Sequence, residues 1–397
     1  MEYTGEFGFS PPLIPIIYKL LGKNAENLAN VQFIFSICSW IFLAYAVAWS
    51  LKNLWLQPFA YLLILGLSLS HIISLWNKTI LSESLTISFF ICFVGIWILL
   101  VQNRSITKTA ILIAVSTLFV LVRNANAYLL LFLAGIIIVV SIAIRLQPHR
   151  RYYISIAIIF SILFLISNAT SDSKNQWTGY FLNVVSTRIL PDEKIRTYFE
   201  KHGMPVTEAL MSRSGKWSHE DDFAYYNDPQ LEQFREWLYA HGKSTYIKFL
   251  VTHPVYLFIK PLHEFQDMFF SSRLIYYAPK GFTESKFGKL VDYISAWGLY
   301  PAYVFLTGVF FGLTLLFAIS KRSLISWVPL VSILLVYPLA VLVWHGDSHE
   351  IDRHMLPIVV QARLGFILLF LFAIDAIISE NYLNADKNKK GVPNIFH

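Results

Sequence analysis

The feature that most constrains this chain is a series of long apolar runs. Each run has roughly the 20 residues that an α-helix needs to cross the hydrocarbon core of a bilayer. Only helices and closed barrels satisfy every backbone polar group in lipid. The runs therefore predict an all-α, polytopic membrane protein with about nine transmembrane helices. They cover residues 31–51, 58–76, 84–102, 107–122, 127–144, 152–168, 301–319, 324–344 and 356–378.

Composition agrees with a membrane protein. Of the 397 residues, 56% are hydrophobic and 14% are charged, whereas a soluble domain has about 25% charged residues. The net charge is +7, but the basic residues are concentrated in short loops and no nucleic-acid-binding motif is present, so no nucleic-acid partner is expected. The two cysteines, Cys38 and Cys92, lie in apolar runs and predict no disulfide.

One long segment lacks this apolar character. Residues 169–300 separate the sixth run from the seventh, and they are rich in charged residues, proline and glycine. Short amphipathic stretches lie between these breaks, which is typical of a small helical domain. We therefore predict an N-terminal membrane domain (1–168) with an outer N-terminal segment and six transmembrane helices. An extracytoplasmic domain (169–300) follows, and then a C-terminal membrane domain (301–397) with three transmembrane helices and a cytoplasmic tail.

The basic residues of the short loops predict the orientation, because cytoplasmic loops carry an excess of Lys and Arg. If the N-terminus is outside, the loops with more basic residues and the basic tail fall on the cytoplasmic side. The short loops on the other side carry only Lys78, Arg123 and Arg353. The protein is then an integral membrane protein, in our interpretation of a bacterial inner (plasma) membrane, with residues 169–300 outside.

The densest polar cluster lies between the last two apolar runs, at residues 344–354. A turn between two helices does not need three carboxylates, three histidines and an arginine. Arg353 can bind a phosphate, because a guanidinium group matches phosphate oxygens with two hydrogen bonds. Asp347, Glu350 and Asp352 could position Arg353 or ligate a divalent cation. The alternative is a solvated loop with an ordinary positive anchor.

Further ionisable residues are candidates for the same site. Glu83 begins the third run, although it could simply stabilise a helix N-terminus. Arg123 ends the fourth run, where an interfacial anchor is the alternative. Arg363 lies within the last run, where it could instead snorkel or pair with an acid on another helix. Glu2 and Glu6 are the acids nearest to a proline-rich segment at the N-terminus.

Taken in chain order, these segments resemble the C-type glycosyltransferase superfamily. Its members are polytopic enzymes that use polyprenyl-phosphate sugar donors at the outer membrane face, and they include protein O-mannosyltransferases and aminoarabinose transferases of lipid A. The resemblance extends over nearly the whole chain and rests on the order and common sidedness of its parts. Apart from the outer domain, these are Ser10–Pro15, Leu81–Leu85, Arg123–Asn124, Glu350–Pro357 and Gln361–Gly365.

The resemblance implies transfer of a sugar from a polyprenyl-phosphate lipid to a lipid, glycan or protein acceptor. The donor phosphate would be bound by Arg353, His354, Arg363 and Arg123. In the family, an acidic loop after a first helix supplies the catalytic base, and this chain begins about where that loop should end. The acid expected in its place is Glu83, Glu6 or Glu2; the alternative is a truncated start from which the catalytic acid is lost. Aromatic residues of the outer domain would shape the acceptor side; they are Trp177, Trp217, Tyr225, Tyr226 and Trp237.

Other classes of protein remain open. One is a catalytically inactive homologue or a partner-binding membrane scaffold. Another is a transporter or flippase, in which Arg363 and Asp375 would line a pathway, although strong charges occur in only this run apart from Lys108 at the edge of the fourth. A polysaccharide polymerase with a large outer loop is a related enzyme. The sequence contains no phosphate-binding P-loop and no zinc motif, and a divalent cation is the one cofactor that the loop carboxylates suggest.

Overall fold

The computed structural model describes residues 11–143, 150–270, 285–296, 308–309, 312–313 and 324–389. Across these ranges every regular element is helical. Five helices are long and apolar enough to cross a membrane, judged by length and composition: Ala25–Ser50, Ser82–Gln102, Arg150–Ser173, Trp327–Gly346 and Ile351–Ser379. The chain is therefore an all-α protein with the helices of an integral membrane protein.

The remaining predicted spans have different outcomes. The second apolar run forms two helices, Leu56–Ser68 and His71–Asn77, which are bent by 57° at the break between them. The fourth and fifth runs form shorter apolar helices, Ile106–Val122 and Asn126–Ile142. The seventh run, 301–319, lies almost entirely outside the described residues. The total of nine spans therefore stays a prediction.

The first half of the chain forms a bundle in which α5 is central. Helix α5 contacts both α2 and α6, while α7 contacts α8. Asn24 begins α2 by accepting hydrogen bonds from two backbone N–H groups of its first turn, and Ser105 begins α6 in the same way. The helices are α1 (Leu13–Leu20), α2 (Ala25–Ser50), α3 (Leu56–Ser68), α4 (His71–Ser74), α5 (Ser82–Gln102), α6 (Ile106–Val122), α7 (Asn126–Ala143) and α8 (Arg150–Ser173).

The described part of the polar segment consists of short helices around a hydrophobic cluster of its own. Phe199, Phe234 and Trp237 lie in this cluster, which is distinct from the large cluster of the apolar helices. The helices are α9 (Thr178–Val184), α10 (Glu193–Lys201), α11 (Glu208–Met211), α12 (Glu220–Asn227), α13 (Glu232–Trp237), α14 (Lys243–Thr252), α15 (Pro254–His263), α16 (Phe265–Phe270) and α17 (Lys286–Ala296).

The C-terminal helices are joined by a short polar hairpin. They are α18 (Trp327–Leu334), α19 (Val336–Gly346) and α20 (Ile351–Lys389). Residues 347–350 form the hairpin between α19 and α20. Helix α20 contacts α18 and α19, and it also contacts α3 and α5 of the first bundle. These contacts unite the two predicted membrane domains around α20.

Asp375, 24 residues after the start of α20, lies on the other side of the bundle from this hairpin. Its carboxylate accepts hydrogen bonds from the backbone N–H of Lys52 at 3.1 Å and of Asn53 at 2.8 Å. At 1.5 Å per residue, α20 extends about 36 Å from Ile351 to Asp375, which is enough to cross a hydrocarbon core of about 30 Å. The hairpin and the α2–α3 connection therefore mark opposite ends of the bundle.

Arg363 forms an ion pair inside the bundle. Its Nη1 lies 2.8 Å from Oδ1 of Asp292 on α17, and the arginine is 5% exposed. Oδ2 of Asp292 accepts hydrogen bonds from the backbone N–H of His71 at 2.7 Å and of Ile72 at 3.3 Å. Asp292 therefore compensates a buried cation and also satisfies the start of α4 at the bend. Pairing with an acid on another helix was one of the two alternatives for Arg363.

Replacement of Asp292 by alanine is expected to destabilise the protein by about 3–5 kcal/mol, the usual cost of leaving one member of a buried ion pair without its partner. Thermal unfolding of the protein in detergent micelles measures this loss. The double variant Asp292→Ala/Arg363→Leu should regain part of it, because the uncompensated guanidinium is gone. Asp267→Ala, on the exposed surface of α16, is the control. Equal melting temperatures for Asp292→Ala and Asp267→Ala would contradict the prediction.

Candidate functional site

The ends of several helices meet at the hairpin end of the bundle. Glu83 lies in the first turn of α5, and Arg123 immediately follows α6. Because α5 and α6 are joined by a short connection at their other end, the start of α5 and the end of α6 lie side by side. The hairpin before α20 brings Arg353 to the same place. Residues far apart in the chain thus come into contact here.

Glu83 lies between two arginines. Its Oε1 is 3.9 Å from Nη1 of Arg123 and 3.5 Å from Nε of Arg353. The glutamate is 1% exposed, so its charge requires these cations. Within the described part of the chain, its buried Oε2 has no hydrogen-bond partner. A buried carboxylate oxygen without a donor is uncommon, and it leaves one acceptor position free within the site.

His354 connects Arg123 to the hairpin. Arg123 donates from Nη2 to Nδ1 of His354, and a guanidinium group can only donate. Nδ1 is therefore the acceptor, so the ring proton is on Nε2, which lies 3.3 Å from Oδ2 of Asp347. Oδ1 of Asp347 accepts hydrogen bonds from Asn183 Nδ2 at 3.0 Å and from the backbone N–H of His349 at 2.9 Å. Burial raises the pKa of the Asp347 carboxyl, but these hydrogen bonds outweigh burial and hold the pKa below its ordinary value.

Glu350 is the second carboxylate that contacts Arg353. Its Oε2 lies 3.0 Å from Nη2 of the arginine. The backbone of Glu350 has a φ of 51°, in the left-handed region that residues other than glycine adopt at a cost. Burial raises the pKa of Glu350, and Arg353 opposes this effect only in part. The hairpin thus places the partly exposed carboxylate of Glu350, a residue with a strained backbone, against Arg353.

The structure brings six of the predicted site residues into one network, which we call the ionic cluster: Glu83, Arg123, Asp347, Glu350, Arg353 and His354. Asp352 lies beside it and accepts a hydrogen bond from the backbone N–H of Arg353 at 3.0 Å. Arg363 lies elsewhere, about 15 Å further along α20 than Arg353, in its pair with Asp292. Glu2 and Glu6 lie outside the described residues. Among the residues that are described, no group of three or more His, Cys, Asp or Glu is arranged to hold a metal ion.

The polar segment contributes residues that the sequence reasoning missed. Besides Asn183, Thr187 donates a hydrogen bond to Ser348 Oγ at 2.7 Å. The guanidinium group of Arg188 lies 3.5 Å from the centre of the Trp344 ring, a cation–π contact. These residues are on or just after α9, so this helix fixes the hairpin from one side. No local pattern marks them, because their partners are more than 150 residues away in the sequence.

Tyr180 borders the ionic cluster and was also not predicted. Its ring lies 6.5 Å from that of His354, in an edge-to-face arrangement. Burial raises the pKa of Tyr180, and the cluster charges, Arg123 foremost, also act on it. Its side chain is nevertheless 47% exposed. Tyr180 is therefore a solvent-accessible residue next to the ionic cluster.

The aromatic residues predicted for the acceptor side, in the polar segment, have separate roles. Tyr225 and Trp237 are buried in the hydrophobic cluster of the segment. Trp217 lies against the hairpin instead, with its ring centre 4.5 Å from that of His349. Of these three, Trp217 is the one that the structure places beside the ionic cluster.

An apolar groove lies deeper in the bundle than the ionic cluster. It contains about 850 Å³ of empty space, open solvent included, and is lined by α5, α7 and α18 together with single residues of α8 and α20. Its lining begins at Phe90 on α5 and Gln361 on α20. These positions are about 10 Å from Glu83 and 12 Å from Arg353 along their helices. The groove therefore continues from below the cluster toward the opposite end of the bundle.

Compared with known proteins, the chain matches no family model, no curated protein and no solved structure. The fold and the site define a helical membrane protein with a buried ionic cluster at one end of its bundle and an apolar groove beneath it.

Replacement of Glu83 by glutamine is expected to destabilise the protein by about 3–5 kcal/mol, because Arg123 and Arg353 lose the carboxylate between them. Thermal unfolding in detergent is the measurement. Glu26→Gln is the matched control, since Glu26 also occupies the first turn of an α-helix but is exposed. If Glu83→Gln and Glu26→Gln have equal melting temperatures, the carboxylate of Glu83 does not stabilise the ionic cluster.

Proposed function

We propose that this protein is a membrane glycosyltransferase that moves a sugar from a polyprenyl-phosphate-type donor to an acceptor at the outer membrane face. The observation that supports this best is the contact of Glu83 with both Arg123 and Arg353 at one end of a bundle of apolar helices. A lipid-linked phosphate needs cations at the membrane surface and an apolar path for its tail, and both features are present. The excess of basic residues in the opposite loops supports the outer face, in a bacterial inner membrane.

Arg353 is the residue that would bind the donor phosphate. Its side chain is 20% exposed, whereas that of Glu83 behind it is 2% exposed. With His354 neutral, two arginines and three carboxylates give the ionic cluster a net charge of −1. An incoming phosphate must therefore replace a carboxylate. Glu350 is suited to give way, because it is partly exposed and burial raises its pKa.

The chemistry asked of this site is mainly electrostatic. When the bond between the sugar and the donor oxygen breaks, the phosphate departs as an anion. Guanidinium groups that are already fixed in position stabilise such an anion without further reorganisation. Glu83 and the His354–Asp347 pair would hold the two arginines in place. Because Glu83 is so deeply buried between them, it fits this orienting role better than direct contact with the acceptor.

The apolar groove would hold the lipid tail of the donor. Its lining is formed almost entirely by aliphatic and aromatic side chains, and it begins about 10 Å below the ionic cluster. The acceptor would approach from the opposite direction, on the side of the exposed Tyr180. The acceptor class in this proposal is a lipid, glycan or protein.

The transporter alternative has less support. Its pathway would need Arg363 and Asp375, yet Arg363 is paired with Asp292, and Asp375 binds the backbone of the α2–α3 connection. Both charges thus serve contacts between elements of the fold.

The experiment is a turnover assay in proteoliposomes that contain polyprenyl-phosphate donors bearing labelled hexoses or pentoses, with lipid, glycan and peptide acceptors added. The released polyprenyl phosphate is measured, because it is common to all acceptors. Arg353→Ala is expected to reduce turnover by about 100-fold or more, the usual effect of removing one preorganised donor to a developing anion. Arg151→Ala, at an exposed position at the start of α8, should leave turnover unchanged.

Two results would count against the proposal. Wild-type protein that releases no polyprenyl phosphate from any of these donors would refute the glycosyltransferase function. An active wild type with an equally active Arg353→Ala variant would remove Arg353 from the donor site.

A further inference from the structure

Beside the ionic cluster lies a group of rings that donor binding does not require. The ring of His349 is 4.5 Å from that of Trp217 and 5.4 Å from that of His219. We call these three residues the ring cluster. His349 is partly accessible, with 26% of its side chain exposed. Trp217 is half-buried and His219 is exposed, so the group is open to a ligand.

The side chain of Asn183 connects the ring cluster to the ionic cluster. Asn183 donates to Asp347 Oδ1 at 3.0 Å, and its own Oδ1 accepts a hydrogen bond from the backbone N–H of Ser218 at 2.8 Å. The segment that carries Trp217 is also held by buried Ser186, whose hydroxyl donates a hydrogen bond to the backbone carbonyl of Arg213 at 2.9 Å. The position of Trp217 is thus determined by the fold.

The imidazole of His349 and the guanidinium of Arg353 both lie against one carboxylate oxygen. Nδ1 of His349 is 3.9 Å from Glu350 Oε2, and Nη2 of Arg353 is 3.0 Å from the same oxygen. A group bound at His349 would therefore be a neighbour of a phosphate bound at Arg353.

We propose that the ring cluster is the acceptor subsite for a carbohydrate hydroxyl and that His349 accepts its proton. This inference rests on the proposed glycosyltransferase function. The acceptor oxygen bonds to the anomeric carbon as the bond from that carbon to the donor phosphate breaks. The acceptor proton passes to Nε2 of His349. The phosphate departs with the bonding electrons and is held by Arg353.

The surroundings of His349 favour a carbohydrate over a lipid acceptor. An indole ring offers a flat apolar face with a polar edge, which suits the apolar face and hydroxyl rim of a sugar ring. The other neighbours, His219, Glu350 and Asp347, are all polar. A lipid acceptor would need a continuous apolar surface at this point. Burial lowers the pKa of His349, which favours the neutral ring that can accept a proton.

The test uses wild-type protein in proteoliposomes with a polyprenyl-phosphate hexose as donor and methyl glycosides as acceptors, with n-butanol for comparison. We expect transfer to the glycosides in preference to butanol. His349→Gln should reduce it by about 100-fold or more, within the range for loss of a general base, while donor binding is unchanged. His349→Ala should regain activity with added imidazole, which a purely structural role would not produce. Trp217→Ala should raise the KM for glycoside, and Trp217→Phe should preserve it.

The controls are His241→Gln and Trp55→Ala, both at exposed positions away from the site. If Arg353→Ala abolishes transfer but His349→Gln and Trp217→Ala transfer to glycosides like the wild type, the acceptor subsite is wrong and the glycosyltransferase function stands. Equal transfer to butanol and glycosides would also overturn the carbohydrate subsite. A wild type that is inactive with the donor overturns both proposals.

Discussion

The structure depends on a carboxylate buried between two arginines. Glu83 has almost no contact with water, and a charge in that position is stable only when cations lie beside it. Its partners come from the end of α6 and the start of α20. The contacts that stabilise the buried charge of Glu83 therefore also hold α5, α6 and α20 together at one end of the bundle. Because the arginines are held before any ligand arrives, they are preorganised for an anion.

The hairpin between α19 and α20 combines backbone strain with charged side chains. Glu350 adopts a left-handed backbone conformation, which costs free energy, and it lies between His349 and Arg353. Asp347 on the same hairpin has the opposite environment, since every hydrogen bond that it accepts favours its charged form. Two carboxylates three residues apart thus have pKa values displaced in opposite directions. Asp347 is thus a fixed structural anion, whereas Glu350 is the carboxylate that gives way to the donor phosphate in our proposal.

Much of the architecture was predictable because apolar length is a strong signal in a membrane protein. The polar residues of the hairpin were predictable too, since nothing in a short turn requires them. The partner of Arg363 was not, because the position of a residue along a helix gives its depth but not its neighbours, and Asp292 lies in a separate amphipathic segment. Asn183 and Tyr180 were missed for a similar reason: they occupy a short helix without a motif, and their contacts are made only in the folded chain.

The bend between α3 and α4 has a consequence for biogenesis. Asp292 is the acceptor for the backbone of His71 and Ile72, so more than 200 further residues must be synthesised before it can reach them. Until then, the bend must keep access to water or to another temporary acceptor, because an unsatisfied N–H is costly in hydrocarbon. Arg363 emerges from the ribosome later still, when its counter-ion is already present. Insertion of the early helices into the membrane is therefore separate in time from the completion of their contacts. Helix α17 completes these contacts through Asp292.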